Sequence, residues 1–424
     1  MMTILSGVAT VLTGIGLAEA LAVSRLVASF ARTRLGPPVD RPPVTVLKPL
    51  HGNDPLLEEA LTTLCRQDYP VWQIVFGVQD ANDPAIEVVH RLRQRFPDLD
   101  IALVVDPGLH GRNRKVANLI NMMRAVRHDL LVIADADIHV RPDYLDRLVA
   151  SLLQPGVGLV TTLYAGLPVV GADPAQDLRA RLALPARLGA THITHGFLPG
   201  AVLARALGRQ DCLGATMCLR RSDLDAIGGF YALADHLADD NVLGRRIAAL
   251  GLRVALADTV PLTTVPETSS IALFRHELRW ARTIRALEPA GFAASAVQYP
   301  LAWALLTVLL AGGAPWSFGL FFAAWGLRAV AALGVDRALA SLWPNDSNVA
   351  TMPAGHDAAD LAFSCPVWLL PLRDILSVAV MIASYASRQV DWRGHELHAD
   401  SPPSFAGQTM TLAAASAISA SARQ

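Results

Sequence analysis

Leu130-Leu131-Val132-Ile133-Ala134-Asp135-Ala136-Asp137 is the stretch that decides the fold. Five apolar residues run without alternation into a pair of carboxylates. A strand that is apolar throughout indicates a parallel sheet covered on both faces. Ligands of such sheets bind beyond the carboxyl ends of the strands. The stretch therefore predicts an α/β domain with Asp135 and Asp137 at its binding edge.

The same pattern continues on both sides of this stretch. Further apolar runs are followed by segments with helical spacing. The runs are at 44–48, 73–78, 101–105 and 157–162, and the helical segments are at 56–66, 85–96, 115–127, 144–153 and 242–250. Such alternation predicts a parallel sheet between two helix layers. No G-x-G-x-x-G follows the first strand, which argues against a dinucleotide-dependent oxidoreductase.

The composition indicates a membrane protein. Of the 424 residues, 52% are hydrophobic and 17% are charged, which is too apolar for an ordinary soluble enzyme. The formal net charge of -1 gives no basic field, so no nucleic-acid partner is expected. The four cysteines have neither zinc-site nor disulfide spacing, and we expect buried thiols. The composition does not indicate an oligomeric state.

The first apolar segment, residues 4–31, is interrupted by Glu19 and Arg25 and is followed by arginines. Basic residues after the apolar run favour a membrane anchor over a cleaved signal peptide. By the positive-inside rule, the next domain would then lie in the cytoplasm. Because Glu19 and Arg25 are costly in lipid, we expect this helix either to pack against other helices or to place Arg25 near the membrane interface. A buried helix of a soluble domain is the alternative.

Three more apolar segments lie in the last third of the chain, at 299–313, 316–333 and 363–385. Each approaches the length that spans a bilayer. Arg373 and Asp374 interrupt the last one and are expected either to pair with each other or to mark a bend at the interface. The predicted organisation is an anchor at 1–34, a catalytic domain at 44–290, membrane helices at 296–390 and a tail at 391–424.

Several carboxylates are expected at the binding edge. Asp135 and Asp137 would hold a divalent metal, Mg²⁺ or Mn²⁺, that bridges a diphosphate. Asp80 and Asp83 follow the 73–78 run and would bind a ribose or a base. Asp-x-Asp alone is a weak signal because acidic residues also cap helices. His139 is either a further metal ligand or a solvated loop histidine, and the pattern favours the second.

Two further segments carry chemistry. The basic loop 109–115, with Asn113 and Lys115, opens a helix and suits a phosphate; a solvated charged loop is the alternative. Asp239 and Asp240 begin another helix, where acidic residues are expected anyway, yet one of them can act as a general base.

The segment 275–282 contains Arg279 and Trp280 and has two interpretations. It is either an interfacial helix that binds anionic lipid or a clamp for a diphosphate, with Arg279 as a bidentate donor and Trp280 as a platform.

In chain order, these residues resemble the motifs of processive-type inverting glycosyltransferases with the GT-A fold. The closer resemblance is to glycosyltransferase family 21, the ceramide glucosyltransferases and their bacterial relatives. It rests on Val78-Gln79-Asp80 with 83–86, on 113–119 and on Leu237-Ala238-Asp239-Asp240. Within that family the chain is most similar to hopanoid biosynthesis-associated glycosyltransferases, through 47–50, 66–70, 234–240 and 275–283.

The resemblance implies a single displacement with inversion. Asp240, beside Asp239, would be the catalytic base. The other site residues would bind the nucleotide sugar: Asp80, Asp83, Asn113, Lys115, Asp135, Arg279 and Trp280. The implied donor is UDP-glucose or UDP-N-acetylglucosamine, and the implied acceptor is a membrane lipid, bacteriohopanetetrol before ceramide or another glycolipid. The implied location is a bacterial inner membrane, with several spans and a cytoplasmic catalytic domain.

Two departures and two rival functions remain. His276 stands where the family has Gln or Arg, and Asn241 where an aromatic is common. The rivals are a processive polysaccharide synthase, for which about four spans are few, and a non-catalytic scaffold, which the filled acidic positions disfavour. Residues 177–207 are expected to form an acceptor access route on the membrane surface, with His192 and His195 as further site candidates.

Overall fold

The computed structural model describes residues 1–170, 183–343, 358–387, 389–392 and 395–398. Most of the predicted tail, and residues 177–182 of the predicted acceptor segment, lie outside this part. The strands are β1 (Val44–Pro49), β2 (Trp72–Val78), β3 (Asp100–Val105), β4 (Leu130–Ala134), β5 (Ile138–His139), β6 (Val157–Thr161), β7 (Ala165–Pro168), β8 (Thr216–Arg220), β9 (Arg253–Leu256), β10 (Leu262–Val265), β11 (Gln389–Trp392) and β12 (His395–His398).

A seven-stranded sheet in the order β3-β2-β1-β4-β8-β6-β9 forms the centre of the domain. The five strands expected from the sequence are all present. The expectation of a purely parallel sheet is wrong, because β8 runs antiparallel to both β4 and β6. Like its neighbours, β8 is buried along most of its length. Burial on both faces removes the alternation of residue types, so the apolar pattern carries no information about strand direction.

Helices cover both faces of this sheet. They are α2 (Leu57–Cys65), α3 (Ala85–Arg95), α4 (Arg114–Met122), α5 (Tyr144–Leu152), α8 (Arg221–Ala226) and α9 (Asp239–Ala249). Two further helices, α6 (Leu184–His192) and α7 (Leu198–Ala206), pack outside the two cores of this sheet. Successive residues of one strand enter opposite cores. Val46 of β1 packs with residues of α2, α3 and α5, whereas Leu47 packs with residues of α4, α8 and α9.

A smaller sheet, in the order β5-β10-β7, stands beside the carboxyl end of β4. β5 begins directly after Asp137, and Leu262 of β10 pairs with His139 in the antiparallel direction. β10 also runs parallel to β7. This sheet therefore brings the threonines of β10 next to the Asp-Ala-Asp stretch.

The remaining helices are α1 (Met2–Arg32), α10 (Ser270–Leu287), α11 (Pro289–Ala294), α12 (Pro300–Leu310), α13 (Pro315–Ala340), α14 (Ala358–Ala362) and α15 (Leu370–Ser384). In the described residues, three helical stretches are long and apolar enough to cross a membrane: Met2–Arg32, Pro315–Ala340 and Ala358–Ser384. A fourth candidate is the pair Pro289–Gln298 and Pro300–Leu310, bent by 67°.

The first membrane helix packs closely against its neighbours, as Glu19 and Arg25 led us to expect. At Gly16, a Cβ would lie 2.3 Å from the carbonyl oxygen of Val297. Leu17 is buried in a cluster with Leu301 of α12 and Ala332 of α13. Direct backbone contact at Gly16 is typical of helix packing in lipid, where small residues allow close approach.

Arg373 and Asp374 do not pair with each other, so that alternative is wrong. The Arg373 guanidinium donates to both carboxylate oxygens of Glu277 on α10, at 2.7 Å each. Asp374 accepts from the backbone N–H of Leu301, at 3.0 Å. Consecutive helical side chains point about 100° apart, so the two meet different neighbours. Arg373 ties the last membrane helix to α10, and Asp374 ties it to α12.

Candidate active site

Asp135 lies directly after β4 and contacts two lysines. Its Oδ1 is 2.6 Å from Nζ of Lys115, and its backbone oxygen accepts from Nζ of Lys48. Lys48 is only 1% exposed. Burial disfavours its ammonium form and lowers its pKa to about 8, although Asp137 and Asp135 oppose the shift. Lys48 was not predicted as a site residue, although a charged residue at the carboxyl end of a central strand is itself a signal for one.

Asp137 is held by β10. Its Oδ2 accepts a 2.7 Å hydrogen bond from Oγ1 of Thr263, and its backbone oxygen accepts from the N–H of Thr264 at 3.0 Å. Burial and the neighbouring Asp135 carboxylate raise the pKa of Asp137. The two carboxylates of the Asp-Ala-Asp stretch are thus fixed by different partners and repel each other.

Asp239 and Asp240 occupy the first turn of α9. Burial, and then the charge of Asp239, raise the pKa of Asp240 to about 7. Burial also raises the pKa of Asp239. A carboxyl group that changes protonation near neutral pH suits a general base. At Gly214, a Cβ would lie 3.0 Å from Oδ2 of Asp240, so that position keeps space beside the carboxylate.

Lys115 is the cation shared by these carboxylates. Burial disfavours its ammonium form, but Asp135, Asp239 and Asp240 outweigh burial and raise its pKa above the ordinary value. The structure therefore joins two sequence motifs around one lysine: the end of β4 and the start of α9.

The basic loop before α4 is docked onto the loop before α9. The N–H of Arg112 donates to Oδ1 of Asp235 at 3.1 Å, and the N–H of Asn113 donates to the oxygen of Ala234 at 2.8 Å. The Asn113 side chain is buried, caps α4 through the N–H of Val116 and contacts Asp239 at 3.3 Å. These backbone donors are therefore engaged within the protein, and the cation of this segment that reaches the site is Lys115.

Asp80 and Asp83, both candidates for nucleotide contacts, have different environments. Asp83 is buried and accepts from the N–H groups of Gly52 and Ala85. Asp80 is exposed just beyond β2, and its carboxylate accepts from the N–H of Asn82 at 2.9 Å. Asp80 is therefore the one of the two that is accessible to a ligand.

The Arg-Trp segment lies on α10. His276, at the position where the sequence departs from the family pattern, hydrogen-bonds through Nδ1 to Glu267. Its ring meets Trp280 edge-on, with centroids 4.3 Å apart. Arg279 acts electrostatically on the same Glu267 and helps to lower its pKa; burial opposes this shift, and the hydrogen bond from His276 favours it. Glu267 follows β10 and was not predicted as part of the site.

The three histidine candidates are all inside the protein. His192 stacks over Trp280, with centroids 6.5 Å apart. His195 is buried, and its Nε2 lies 3.2 Å from Oδ1 of Asp336. His139 is 1% exposed and hydrogen-bonds to Oγ1 of Thr264 at 3.0 Å, so the expectation of a solvated loop histidine is wrong. The alternation of Ile138, His139 and Val140 was the available signal for a strand.

Residues 8–404 match the family described as "Glycosyl transferase family 21". The chain belongs to glycosyltransferase family 21. The predicted GT-A α/β domain between N- and C-terminal membrane helices is confirmed by the mixed sheet and the flanking helices.

Curated relatives of this family 21 chain act on lipids by name. It is 23% identical over 248 residues to ceramide glucosyltransferase 1 of Caenorhabditis elegans, covering 58% of this chain and 51% of that protein. It is 24% identical over 245 residues to β-monoglucosyldiacylglycerol synthase of Synechocystis sp., covering 57% and 48%. The chain thus spans about half the length of the curated relatives it matches.

Two solved structures overlap the family 21 chain more loosely. One is the mannosyltransferase PcManGT of Pyrobaculum calidifontis in complex with GDP-Man and Mn²⁺, with 22% identity, a TM-score of 0.47 and coverage of 90% of this chain and 99% of that one. The other is glucosyl-3-phosphoglycerate synthase of Mycobacterium tuberculosis with Mn²⁺ and UDP, with 17% identity, a TM-score of 0.32 and coverage of 53% and 71%.

The acidic edge of this family 21 domain consists of Asp135, Asp137, Asp239 and Asp240. Its charge suits a divalent cation. Burial is the first cause and neighbouring carboxylates the second cause of the raised pKa values of Asp137 and Asp240, and a bound cation would offset both. Oxygen donors are also the ligands that Mg²⁺ and Mn²⁺ prefer. In the described residues, Asp135, Asp137 and His139 do not form a three-ligand cluster. The two aspartates fit the predicted metal and His139 does not.

Proposed function

We propose that this chain is an inverting glycosyltransferase that moves glucose or N-acetylglucosamine from a UDP-sugar to a hydroxyl group of a membrane lipid. Asp240 carries the proposal. Its pKa of about 7 lets it accept a proton near neutral pH, and it shares Lys115 with Asp135 at the binding edge. A carboxylate with this poise, in a family 21 domain, suits general base catalysis.

The reaction is a single displacement. Asp240 takes the proton from the acceptor hydroxyl, and the acceptor oxygen forms a bond to the anomeric carbon as the bond from that carbon to UDP breaks. Attack from the face opposite UDP inverts the configuration. Burial, and after it the charge of Asp239, raise the pKa of Asp240, so Asp240 is a stronger base than an exposed aspartate.

The remaining residues bind the donor and the departing diphosphate. Asp135 and Asp137 would hold a divalent cation, Mg²⁺ or Mn²⁺, which supplies positive charge to the diphosphate when bound. Lys115 balances the carboxylates around it and limits their repulsion of the donor. Asp80 is the exposed acceptor for the nucleoside, and Arg279 with Trp280 forms the clamp for the diphosphate.

The membrane helices support a lipid acceptor. A cavity with both apolar and polar lining residues opens among α1, α6 and the last membrane helices. Its lining includes Glu19, His192, Gln298, Tyr299, Arg328 and Asp374. Through the stacking of His192 on Trp280, the cavity adjoins the Arg-Trp segment. We propose that its polar side chains hydrogen-bond to the hydroxyl groups of a lipid head group.

Among lipids, we propose a hopanoid, bacteriohopanetetrol, as the acceptor, with ceramide and diacylglycerol as the alternatives. The hopanoid proposal is supported by the resemblance at 47–50, 66–70, 234–240 and 275–283. The alternatives are supported by relatives named for ceramide and diacylglycerol glucosylation. The proposed location is a bacterial inner membrane, with the catalytic domain on the cytoplasmic side.

A matrix of donors and acceptors tests this function. The full chain in lipid nanodiscs would be given UDP-glucose or UDP-N-acetylglucosamine, each with bacteriohopanetetrol, ceramide or diacylglycerol, and the lipids analysed by mass spectrometry. We expect one sugar per lipid, with the hopanoid as the best acceptor. A ladder of long polymers would instead indicate a polysaccharide synthase. Absence of product from every pair, with UDP-sugar binding retained, would favour the non-catalytic scaffold.

A further inference from the structure

Three side chains that can bind a metal converge outside the acidic edge. His195 lies in the helical turn between α6 and α7, Asp336 near the end of α13, and Cys365 in the loop after α14. One ligand atom of each lies within 4.8 Å of the other two. Within the described ranges, no other histidine, cysteine and carboxylate side chains meet in this way.

Two side chains of this cluster are almost fully buried, and one nitrogen atom among them has no hydrogen-bond partner. The side chains of His195 and Asp336 are 2% and 6% exposed. Nε2 of His195 lies 3.2 Å from Oδ1 of Asp336, whereas Nδ1 of His195 is buried without a hydrogen-bond partner. Buried polar atoms are normally satisfied, and an exception in a native protein calls for a missing water or ion.

We infer that His195, Asp336 and Cys365 bind a zinc ion. Imidazole, carboxylate and thiolate are the three ligand types of protein zinc sites. Mg²⁺ and Mn²⁺ prefer oxygen, so the metal proposed for Asp135 and Asp137 is a different one. Zinc bonds of about 2.0–2.3 Å place tetrahedral ligand atoms about 3.3–3.8 Å apart. On binding, the three ligand atoms, now within 4.8 Å of one another, would draw together to that spacing.

The surroundings support a bound cation. Oδ2 of Asp336 accepts from the backbone N–H of Cys365 at 2.9 Å, so one ligand already orients another. The nearest competing cation is Arg328, whose Nη2 donates to the backbone oxygen of His195 at 2.7 Å. Arg328 also lines the cavity among the membrane helices with the carboxylates of Glu19 and Asp374, so negative charge for its guanidinium is available there.

The site would have a structural role. Its ligands come from the segment after β7, from one membrane helix and from the loop that precedes another. A zinc ion would fasten these three elements together, one helical turn from His192 and its contact with Trp280. Three protein ligands leave a fourth position for a water or a backbone oxygen. The inference does not depend on the identity of the sugar or of the lipid acceptor.

Metal analysis of the intact protein tests the site. The full chain, purified in nanodiscs without chelator, would be analysed by plasma mass spectrometry and then loaded with Co²⁺. We expect about one zinc per chain and a thiolate-to-cobalt charge-transfer band in the near ultraviolet. Cys365→Ala and His195→Ala should each weaken zinc binding about tenfold or more and remove or alter that band.

Cys65→Ala is the matched control, because it removes a buried thiol at the end of α2 and should change neither signal. Cys365 is only partly buried, so its loss is compatible with folding. Wild-type protein without stoichiometric zinc and without the cobalt band would overturn the inference. Retention of both signals in Cys365→Ala would overturn it as well. Added Mn²⁺ gives no thiolate band, which separates this site from Asp135 and Asp137.

Discussion

The acidic edge of the catalytic domain and the contact between α10 and the last membrane helix handle charge in opposite ways. At the edge, four carboxylates (Asp135, Asp137, Asp239 and Asp240) have two close cations, Lys115 and Lys48. At the helix contact, Glu277 meets Arg373 through two hydrogen bonds of 2.7 Å, and both side chains are at most 4% exposed. One region has more carboxylates than it can balance, and the other is balanced pair by pair.

The difference separates function from architecture. Unbalanced carboxylates raise one another's affinity for a proton or a metal, so the edge is prepared for ligands and proton transfer. The hydrogen bonds of the Glu277–Arg373 pair are made within the protein, and removing one partner leaves a buried charge. Substitutions at the edge should therefore change turnover, and substitutions at the helix contact should change stability.

The largest expected effect is at Asp240. Asp240→Asn removes the proton acceptor while preserving side-chain size, and kcat should fall by about 10²–10⁴. Binding of the UDP-sugar, measured by calorimetry, should persist because Asp135 and Lys115 remain. Lost turnover with retained binding is the result expected if the acidic edge serves catalysis.

Asp235→Asn is the control for that substitution. Asp235 lies on the loop just before Asp240, is exposed, and holds the N–H of Arg112 through an oxygen that asparagine retains. Its activity should be close to wild type. Unchanged turnover in Asp240→Asn would exclude Asp240 as the base and leave Asp239 as the candidate.

The next effect concerns stability at the helix contact. Glu277→Gln leaves the Arg373 charge buried without its partner, and unfolding should become easier by about 3–5 kcal/mol. The thermal midpoint of the protein in nanodiscs measures this. The double variant Glu277→Met with Arg373→Leu removes both charges and should recover most of the loss.

Glu58→Gln is the matched control for an ion pair at the surface. Glu58 and Arg91 are 2.8 Å apart with side chains 35% and 52% exposed, and such pairs contribute about 0–1 kcal/mol. Equal losses in the two single variants would mean that the buried pair has no special weight.

Both regions could be predicted only in part from the sequence. Apolar runs located the strands and placed Asp135 at the binding edge, because a change from apolar to charged residues marks the end of a buried strand. The same reasoning did not place Lys48 in the site, since a lysine after four buried residues also fits the solvated end of a strand. The structure instead buries it and points it at the backbone oxygen of Asp135.

Side-chain contacts between residues far apart in the sequence could not be predicted from the hydrophobic pattern. Arg373 and Asp374 are adjacent in sequence, which made a mutual pair a reasonable alternative, yet Arg373 reaches Glu277 instead. The hydrogen bond from His276 to Glu267 likewise depends on how β10 and α10 meet. Such contacts depend on tertiary packing, which local periodicity does not specify.

Lys115 provides a test by pH. Because Asp240 has a raised pKa of about 7, it is protonated and inactive as a base at lower pH, so kcat/KM should rise with pH through about 7. The Lys115 cation lowers that pKa. Lys115→Met should therefore move the rise of kcat/KM to higher pH and reduce kcat/KM at pH 7 by roughly tenfold.

Arg114→Met is the control, since it removes an exposed cation from the neighbouring position on α4. Its pH profile should match that of the wild type. If kcat/KM of Lys115→Met rises at the same pH as that of the wild type, Lys115 does not influence the pKa of Asp240.

The smallest effect is expected at Thr263, whose hydroxyl donates to Asp137 at 2.7 Å. Thr263→Val removes this hydrogen bond and raises the pKa of Asp137 further, because that bond opposes the shift. The loss of about 1 kcal/mol should weaken metal-dependent UDP-sugar binding roughly fivefold. Thr162→Val is the control, because the Thr162 hydroxyl is buried and has no hydrogen-bond partner within the described structure. Equal weakening in both variants would reflect lost packing near the sheet, whereas weakening in Thr263→Val alone would assign Asp137 to the metal.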